Sequence, residues 1–139
     1  MKECIFWDSE DSKFINWEEV SFTKDKGDDF VIVIKEIDHI YSSARLYDSF
    51  DYIGLNDINN NKIYADCSIV EFELIINPVC RTVVLNRKGV FKYDKDLCAY
   101  IIECIDEDRI LIFSTSFKHI KNIKIIDTIQ ENKLGLIKE

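Results

Sequence analysis

Isoleucine and valine dominate the apolar positions of this chain. Among its 139 residues, 31 are Ile or Val and 11 are Leu or Ala. β-Branched side chains lose rotamer freedom in a helix and pack well on a pleated sheet. The sequence therefore predicts a mainly β fold with at most one or two short helices.

Short apolar segments alternate with polar turns, which is typical of a small barrel or sandwich. The predicted strands cover 2–7, 14–17 with its end left open up to 22, 30–34, 52–55, 62–64, 69–75, 81–85, 90–93, 97–105, 109–113 and 120–126. Residues 30–34 are apolar throughout, which predicts a strand buried on both faces. The polar tetrapeptide 86–89 is interpreted as a turn, and 97–105 with 109–113 as a hairpin.

The segment 35–50 has two readings. Its apolar residues recur at helical spacing, which favours a short helix, at Ile37, Ile40, Tyr41 and Ala44. The pair Ser42-Ser43 favours a loop nearly as well. Both alternatives remain open at this point.

Length, hydropathy and cysteine usage indicate one soluble intracellular domain. A chain of 139 residues with 47% hydrophobic residues can bury a core without metal or disulfides. No apolar run approaches about 18 residues, and the acidic Glu3 argues against a signal peptide. Five cysteines without paired short spacings are expected to be reduced: Cys4, Cys67, Cys80, Cys98 and Cys104.

The acidic balance disfavours a nucleic-acid partner. The formal net charge is −8, whereas non-specific binding to phosphates needs clustered Lys and Arg. One basic segment, 118–124, could make a minor nucleic-acid contact, although a solvated strand face explains it as well. The aromatic residues near the start have acidic neighbours and are expected in the core: Phe6, Trp7, Phe14, Trp17 and Phe22.

Residues that carry chemistry form no local constellation. The glycines lie too far apart for a phosphate-binding loop, and neither a GxSxG nor an HExxH motif occurs. Cys98 and Cys104 are expected on one face of a strand, about 20 Å apart, so they cannot share an ion unless the chain bends. His39 and His119 could join a metal site only if the tertiary fold brought them there. Paired carboxylates lie in polar segments at 18–19, 28–29 and 106–108. We therefore expect no enzyme activity, no metal and no cofactor.

Three motifs resemble the YopX family of phage and prophage proteins. The central one matches the family's Gly-Leu-x-Asp-x-Asn-x-x-x-Ile-Tyr signature and reads Gly54-Leu55-Asn56-Asp57-Ile58-Asn59-Asn60-Asn61-Lys62-Ile63-Tyr64. The opening 6–8 resembles Arg-Ala-Trp-Asp with the Arg-Ala pair replaced, and 129–132 resembles Ile-Tyr-Glu-Asn with Gln130 in place of Tyr. The turn after Tyr64 is one residue longer than in the family and lacks its glycine.

The resemblance implies a single YopX-like domain over 1–139. Its expected lobes are an N-terminal β lobe (1–50) packed on an SH3-like or related small β-barrel (51–130), followed by a tail (131–139). It also implies a phage or prophage origin, the cytoplasm of a bacterial host and self-assembly into an oligomer. A fold analogy does not license a function.

The leading hypothesis is a non-enzymatic module for protein interaction or self-assembly, with an unknown protein partner and no membrane association. Strand edges and barrel loops supply such surfaces. The contact is expected around Tyr52, Asn56, Asp57 and Tyr64, for which plain turn architecture is the competing explanation. The alternatives are a nucleic-acid-associated small barrel and an acidic DNA mimic that inhibits a host enzyme.

Overall fold

Strands form most of the chain. The computed structural model describes residues 3–9, 11–24, 30–34, 39–42, 47–77, 81–106 and 109–137. Within these ranges the helical segments are two 3-10 helices, Trp17–Glu19 and Ser114–His119, so the predicted mainly β class is confirmed. No helix in the described part is long and apolar enough to cross a membrane.

Twelve strands are described, all paired antiparallel. They are β1 Cys4–Asp8, β2 Lys13–Ile15, β3 Val20–Lys24, β4 Phe30–Ile34, β5 His39–Ser42, β6 Tyr47–Asn56, β7 Lys62–Tyr64, β8 Ser68–Ile76, β9 Val83–Asp94, β10 Ala99–Cys104, β11 Leu111–Phe113 and β12 Ile120–Thr128. The chain divides into two compact units, Met1–Asp51 and Tyr52–Glu139. Whether these act as a single domain stays a prediction.

The first unit contains two antiparallel arrangements. β1 pairs with β2 and with the first half of β6, while β3, β4 and β5 form a three-stranded sheet. Phe6 is buried, as predicted, whereas Trp7, Phe14 and Trp17 are half-buried. The strand at 30–34 is confirmed as β4; its predicted two-sided burial, and the side chain of Phe22, lie outside the described residues.

The second unit is built on a five-stranded sheet in the order β11-β10-β9-β8-β12. The second half of β6 pairs with β7, and the large sheet curls into a half-barrel. The more specific expectation of an SH3-like barrel stays a prediction. The predicted hairpin of 97–105 with 109–113 is confirmed by the pairing of β10 with β11.

One face of this sheet carries the main core. Its buried members come from β7, β8, β9, β10, β11 and β12, and they are Ile63, Val70, Phe72, Phe91, Ile102, Cys104, Ile112 and Ile120. Phe91 lies edge-on to Phe117 of the second 3-10 helix, with ring centroids 5.6 Å apart. The abundance of β-branched residues is explained by this core, because Ile and Val pack well on a pleated surface.

The predicted turn at 86–89 is wrong, since β9 runs without interruption from Val83 to Asp94. Arg87 instead forms a 2.9 Å ion pair with Asp106. Gly89 lies where the chain passes close to β10: a Cβ there would come within 2.6 Å of Ile102 Cγ2 and 2.9 Å of the Glu103 carbonyl oxygen. The glycine serves close packing between strands rather than a reversal of direction.

Neither of the two alternatives for 35–50, a short helix or a loop at Ser42-Ser43, describes the part of that segment that the structure shows. Residues 39–42 form β5, and β6 begins at Tyr47. Sheet pairing of His39–Ser42 with β4 overrides the helical spacing of Ile40 and Tyr41. Ile37, Ser43 and Ala44 lie outside the described residues.

Replacing Gly89 with alanine should destabilise the second unit. The added Cβ would overlap Ile102 and the backbone of β10, and overpacking of this kind costs about 1–3 kcal/mol. Urea denaturation followed by far-ultraviolet circular dichroism measures the change. The matched control is Asn86→Ala on the exposed part of the same strand, which should stay within about 0.5 kcal/mol of the parent chain. Equal effects of the two substitutions would contradict the close approach at Gly89.

Candidate functional site

The signature turn, residues 57–61, is organised around one buried carboxylate. Asp57 Oδ1 accepts the backbone N–H groups of Asn59 at 2.9 Å and Asn61 at 2.8 Å. Asp57 Oδ2 accepts the N–H of Ile125, 3.0 Å away on β12. A fourth bond, from Ile58 N–H to the Ile123 carbonyl at 2.8 Å, also joins the turn to β12. The sequentially distant turn and strand are thereby tied together.

These bonds form where β12 departs from regular pairing. Its register against β8 shifts between Lys121 and Lys124, and Asn122 adopts a positive φ of 56°. β12 is an edge strand of the five-stranded sheet. The bulge directs backbone groups toward the signature turn, which covers part of that edge and blocks further strand pairing there.

The environment of Asp57 keeps it ionised. Burial disfavours the charge, but the backbone N–H groups of Ile125, Asn61 and Asn59 outweigh it and hold the pKa of Asp57 below its ordinary value. A carboxylate with these partners stabilises the fold and is not available to bind a ligand. Asp57 was a predicted contact residue, and its burial corrects that interpretation.

The other predicted contact residues do meet on the surface. Tyr52 donates from its hydroxyl to Asn56 Oδ1 at 2.5 Å. The Tyr52 and Tyr64 rings lie 6.1 Å apart between centroids, and Lys62 Nζ lies 5.5 Å above the Tyr52 ring. These contacts hold Tyr52, Asn56 and Tyr64 in place, which agrees with the alternative that they stabilise the turn, although part of the group is exposed.

A second buried carboxylate holds the segment after β12. Asp127 accepts the N–H groups of Leu134 at 2.8 Å and Lys133 at 3.1 Å, together with that of Thr128. Burial opposes the charge, yet these bonds keep the pKa of Asp127 below its ordinary value. Asn132 then bonds both backbone groups of Ile137, at 2.9 and 3.1 Å. Residues 129–137 are folded back in this way.

This folded segment forms one wall of a cleft of about 540 Å³. The cleft is lined by Val90, Lys92, Glu103, Cys104, Ile105, Asp106, Arg109, Ile129, Leu136 and Ile137. Lys92 and Glu103 form a 2.9 Å ion pair. The sheet face that carries Val90, Lys92 and Glu103 is called the cleft face below.

The cysteines in the described part are poorly suited to nucleophilic chemistry. Burial raises the pKa of the Cys104 thiol, so it is protonated at neutral pH. Burial and nearby carboxylates raise the pKa of Cys4 to about 11 and that of Cys67 to about 12. Cys98 was predicted on a strand face with Cys104, which is wrong: it lies exposed in a turn with a φ of 49°. Cys80 lies outside the described residues.

Metal-ligating side chains do not converge in the part that the structure describes: no three His, Cys, Asp or Glu residues there could hold an ion together. His119 is exposed on the second 3-10 helix. The side chain of His39 is outside the described residues.

The basic segment 118–124 is balanced by acidic neighbours. Lys121 lies opposite Glu73 and Lys124 opposite Glu71 in the pairing of β12 with β8, and Glu71 also lies opposite Lys88 of β9. Opposite charges at facing positions stabilise a sheet. The segment is therefore a mixed-charge strand face and not a basic patch.

The other edge of the five-stranded sheet is strand β11. Ile110, Leu111 and Phe113 are 45%, 46% and 46% exposed, while Ile112 between them is buried in the core. Leu111 lies opposite Glu103 and Phe113 opposite Ile101 on β10. Facing residues share a side of the sheet, so Leu111 and Phe113 extend the cleft face to the edge. This edge with its three exposed side chains is called the β11 edge.

A family comparison covers nearly all of this architecture. The profile of the family described as YopX protein matches residues 6–134. The chain belongs to the YopX family. No curated protein and no solved structure matches it significantly. The resemblance seen in the three sequence motifs is thereby confirmed. The matched range includes the signature turn, the β11 edge and residues 129–134 of the cleft wall.

Sequence reasoning missed three features of this YopX-family chain. Asp127 was passed over because its partners, Lys133 and Leu134, lie in a polar tail without strand pattern. Arg109 was assigned only to a strand end. Residues 109–113 were predicted only as one strand of a hairpin, and the sheet order is what identifies β11 as an edge.

Replacing Asp57 with asparagine should destabilise the second unit by about 2–4 kcal/mol at pH 7, because an amide NH₂ would face a buried backbone N–H. Urea denaturation followed by circular dichroism measures the loss. Asp96→Asn, at an exposed turn position, is the matched control and should change stability by no more than about 0.5 kcal/mol. A loss for Asp57→Asn as small as that of the control would refute the role assigned to Asp57.

The parent chain and the Asp57→Asn variant should differ in how their free energy of unfolding depends on pH. Since the pKa of Asp57 is lower in the folded than in the unfolded chain, its stabilisation is complete above about pH 4 and disappears as the pH falls through the folded value. Over this acidic range the free energy of unfolding should fall more steeply for the parent chain than for Asp57→Asn. Asp127 is present in both chains and cancels. Parallel curves would contradict the assignment.

Proposed function

We propose that this YopX-family chain is a non-enzymatic interaction module encoded by a phage or prophage, and that it binds a partner protein in the host cytoplasm through the β11 edge. The proposal rests on a difference between the two edges of the five-stranded sheet: the signature turn covers β12, whereas no described strand pairs with the outer side of β11. At β12 the signature turn occupies backbone groups of the edge, through Ile58 and Asp57. At β11 no further strand pairs among the described residues.

Natural sheets usually protect their edges, because unpaired N–H and C=O groups invite another strand. Charged side chains, bulges and covering loops are the common devices. β12 has a bulge, lysines and a covering turn. β11 has none of these within Leu111–Phe113 and presents large apolar side chains instead. An edge of this kind is suited to strand addition, in which backbone hydrogen bonds supply affinity and alternate side chains supply specificity.

The chemistry of the described thiols supports a binding role. Cys4, Cys67 and Cys104 are buried with raised pKa values, so none is an activated nucleophile. The carboxylates of Asp57 and Asp127 accept backbone hydrogen bonds that stabilise the fold. The second unit also exposes apolar side chains elsewhere, for example Ile58 and Val84, but at β11 they lie along a strand edge that no described strand pairs with. This combination needs an explanation beyond folding.

The substitution Phe113→Lys should abolish partner capture while leaving the fold intact. Phe113 is 46% exposed, so the lysine can reach solvent, yet it places a charge where an added strand would pack. Affinity purification from the induced host, followed by mass spectrometry, should show at least about a tenfold loss of the specific partner, as for a central interface residue.

The matched control is Val84→Lys, because Val84 is 51% exposed on β9, far along the same sheet from β11. It should retain the partner at the parent level. Circular dichroism verifies the fold of both variants, and light scattering shows whether the parent chain associates with copies of itself. Undiminished capture by Phe113→Lys would overturn the assignment of function to the β11 edge.

A further inference from the structure

We propose that the strand bound at β11 carries an acidic side chain that pairs with Arg109 at the cleft. The ligand would be an extended peptide segment of a different protein, running antiparallel to β11 with the pattern apolar-x-apolar-x-acidic. This inference rests on the proposed function and specifies the partner's chemistry.

The pattern follows from the register of the hairpin. Leu111 lies opposite Glu103, and the Cys104 N–H donates to the Ile110 carbonyl at 2.9 Å, so pairing continues one residue before β11. Positions two apart on an extended chain share a face. Arg109 therefore follows Leu111 and Phe113 on the cleft face, in agreement with its place in the cleft lining.

Arg109 differs from the other charged residues of the cleft that the structure describes. Lys92 is paired with Glu103 at 2.9 Å, and Arg87 with Asp106 at 2.9 Å. The exposed guanidinium of Arg109 has no ion-pair partner among the residues that the structure describes. A planar guanidinium at the end of an apolar row matches a carboxylate at the end of an apolar strand, because the paired charges form directed hydrogen bonds.

The spacing in the ligand can be counted from Ile112. If the ligand residue opposite Ile112 is taken as the origin, its two neighbours face Phe113 and Leu111 on the cleft face. The residue facing Arg109 then lies three positions further toward the ligand's carboxyl terminus. Two apolar side chains therefore flank the origin, and the acidic one follows the second of them after a single intervening residue.

A second copy of this chain fits the edge less well. In a self-complementary antiparallel pair centred on Ile112, Leu111 would face Phe113 of the other copy. Arg109 would then come opposite the segment Ser114–His119, which has no acidic residue and ends in Lys118 and His119. Like charges at an interface are unfavourable. The positive charge of Arg109 thus favours a foreign, acid-bearing strand over self-pairing.

The test uses the full-length chain and two blocked decapeptides that contain Val-Thr-Val-Thr-Glu or Val-Thr-Val-Thr-Lys in otherwise identical threonine-rich sequences. Blocked termini leave the glutamate as the sole carboxylate. The parent chain should bind the Glu peptide at least about tenfold more tightly than the Lys peptide in calorimetry or fluorescence anisotropy. Arg109→Glu should reverse that preference. Val84→Lys should keep the parent preference.

Hydrogen exchange locates the binding. The Glu peptide should slow exchange of backbone amides in β11 of the parent chain, and Phe113→Lys should abolish both binding and protection. If the peptides bind at β11 equally well whatever the charge at residue 109, the inference fails and the β11 edge survives as a binding site. If neither peptide binds and light scattering shows a dimer that Phe113→Lys disrupts, the edge belongs to a second copy and the inference is overturned. If neither peptide binds and Phe113→Lys captures the partner as the parent does, the proposed function fails with it.

Discussion

The second unit depends on the carboxylate of Asp57. Two of its hydrogen bonds close the signature turn on itself, and the third reaches Ile125 on a strand 68 residues later in the chain. Without an acceptor there, the bulge of β12 would leave a buried N–H unpaired, at a cost of about 1–3 kcal/mol. One side chain therefore specifies a local turn and a long-range contact together, which is the structural role of Asp57 within the signature motif.

The same interaction makes the two edges of the sheet different. Once the turn occupies β12, strand addition at that side is blocked, and a sheet with β12 covered has one accessible edge left among the described strands. Asp127 contributes at a distance, because it folds 129–137 back to make a wall of the cleft. Asp57 and Asp127 thus help to determine that the β11 edge and the neighbouring cleft are the surface that presents apolar and cationic side chains.

Residue propensities and local sequence patterns were sufficient where a segment's structure depends on its own residues and its immediate neighbours in the sequence. The hairpin of β10 and β11, the polar turn after Asn56 and the mainly β class follow from β-branched residues and turn formers. They failed at Gly89, which is a typical turn residue. Here the glycine lies within a strand, because Ile102 and Glu103 come too close to leave room for a Cβ. They failed again at Ile40 and Tyr41, where pairing with β4 decides. For the site, the motif located Asp57 but not its burial. Arg109 had no local signal, because its position matters only once the hairpin and the cleft wall are formed.

The net charge of −8 takes on a different meaning once the carboxylates are located. Asp57, Asp106 and Asp127 accept backbone N–H groups, and Glu71, Glu73 and Glu103 lie opposite or paired with lysines. These six acids stabilise the fold of the second unit and do not form a row of free charges. Because the described negative charges of this unit are largely engaged within the fold, the exposed Arg109 beside an open apolar edge is suited to a carboxylate from outside the chain.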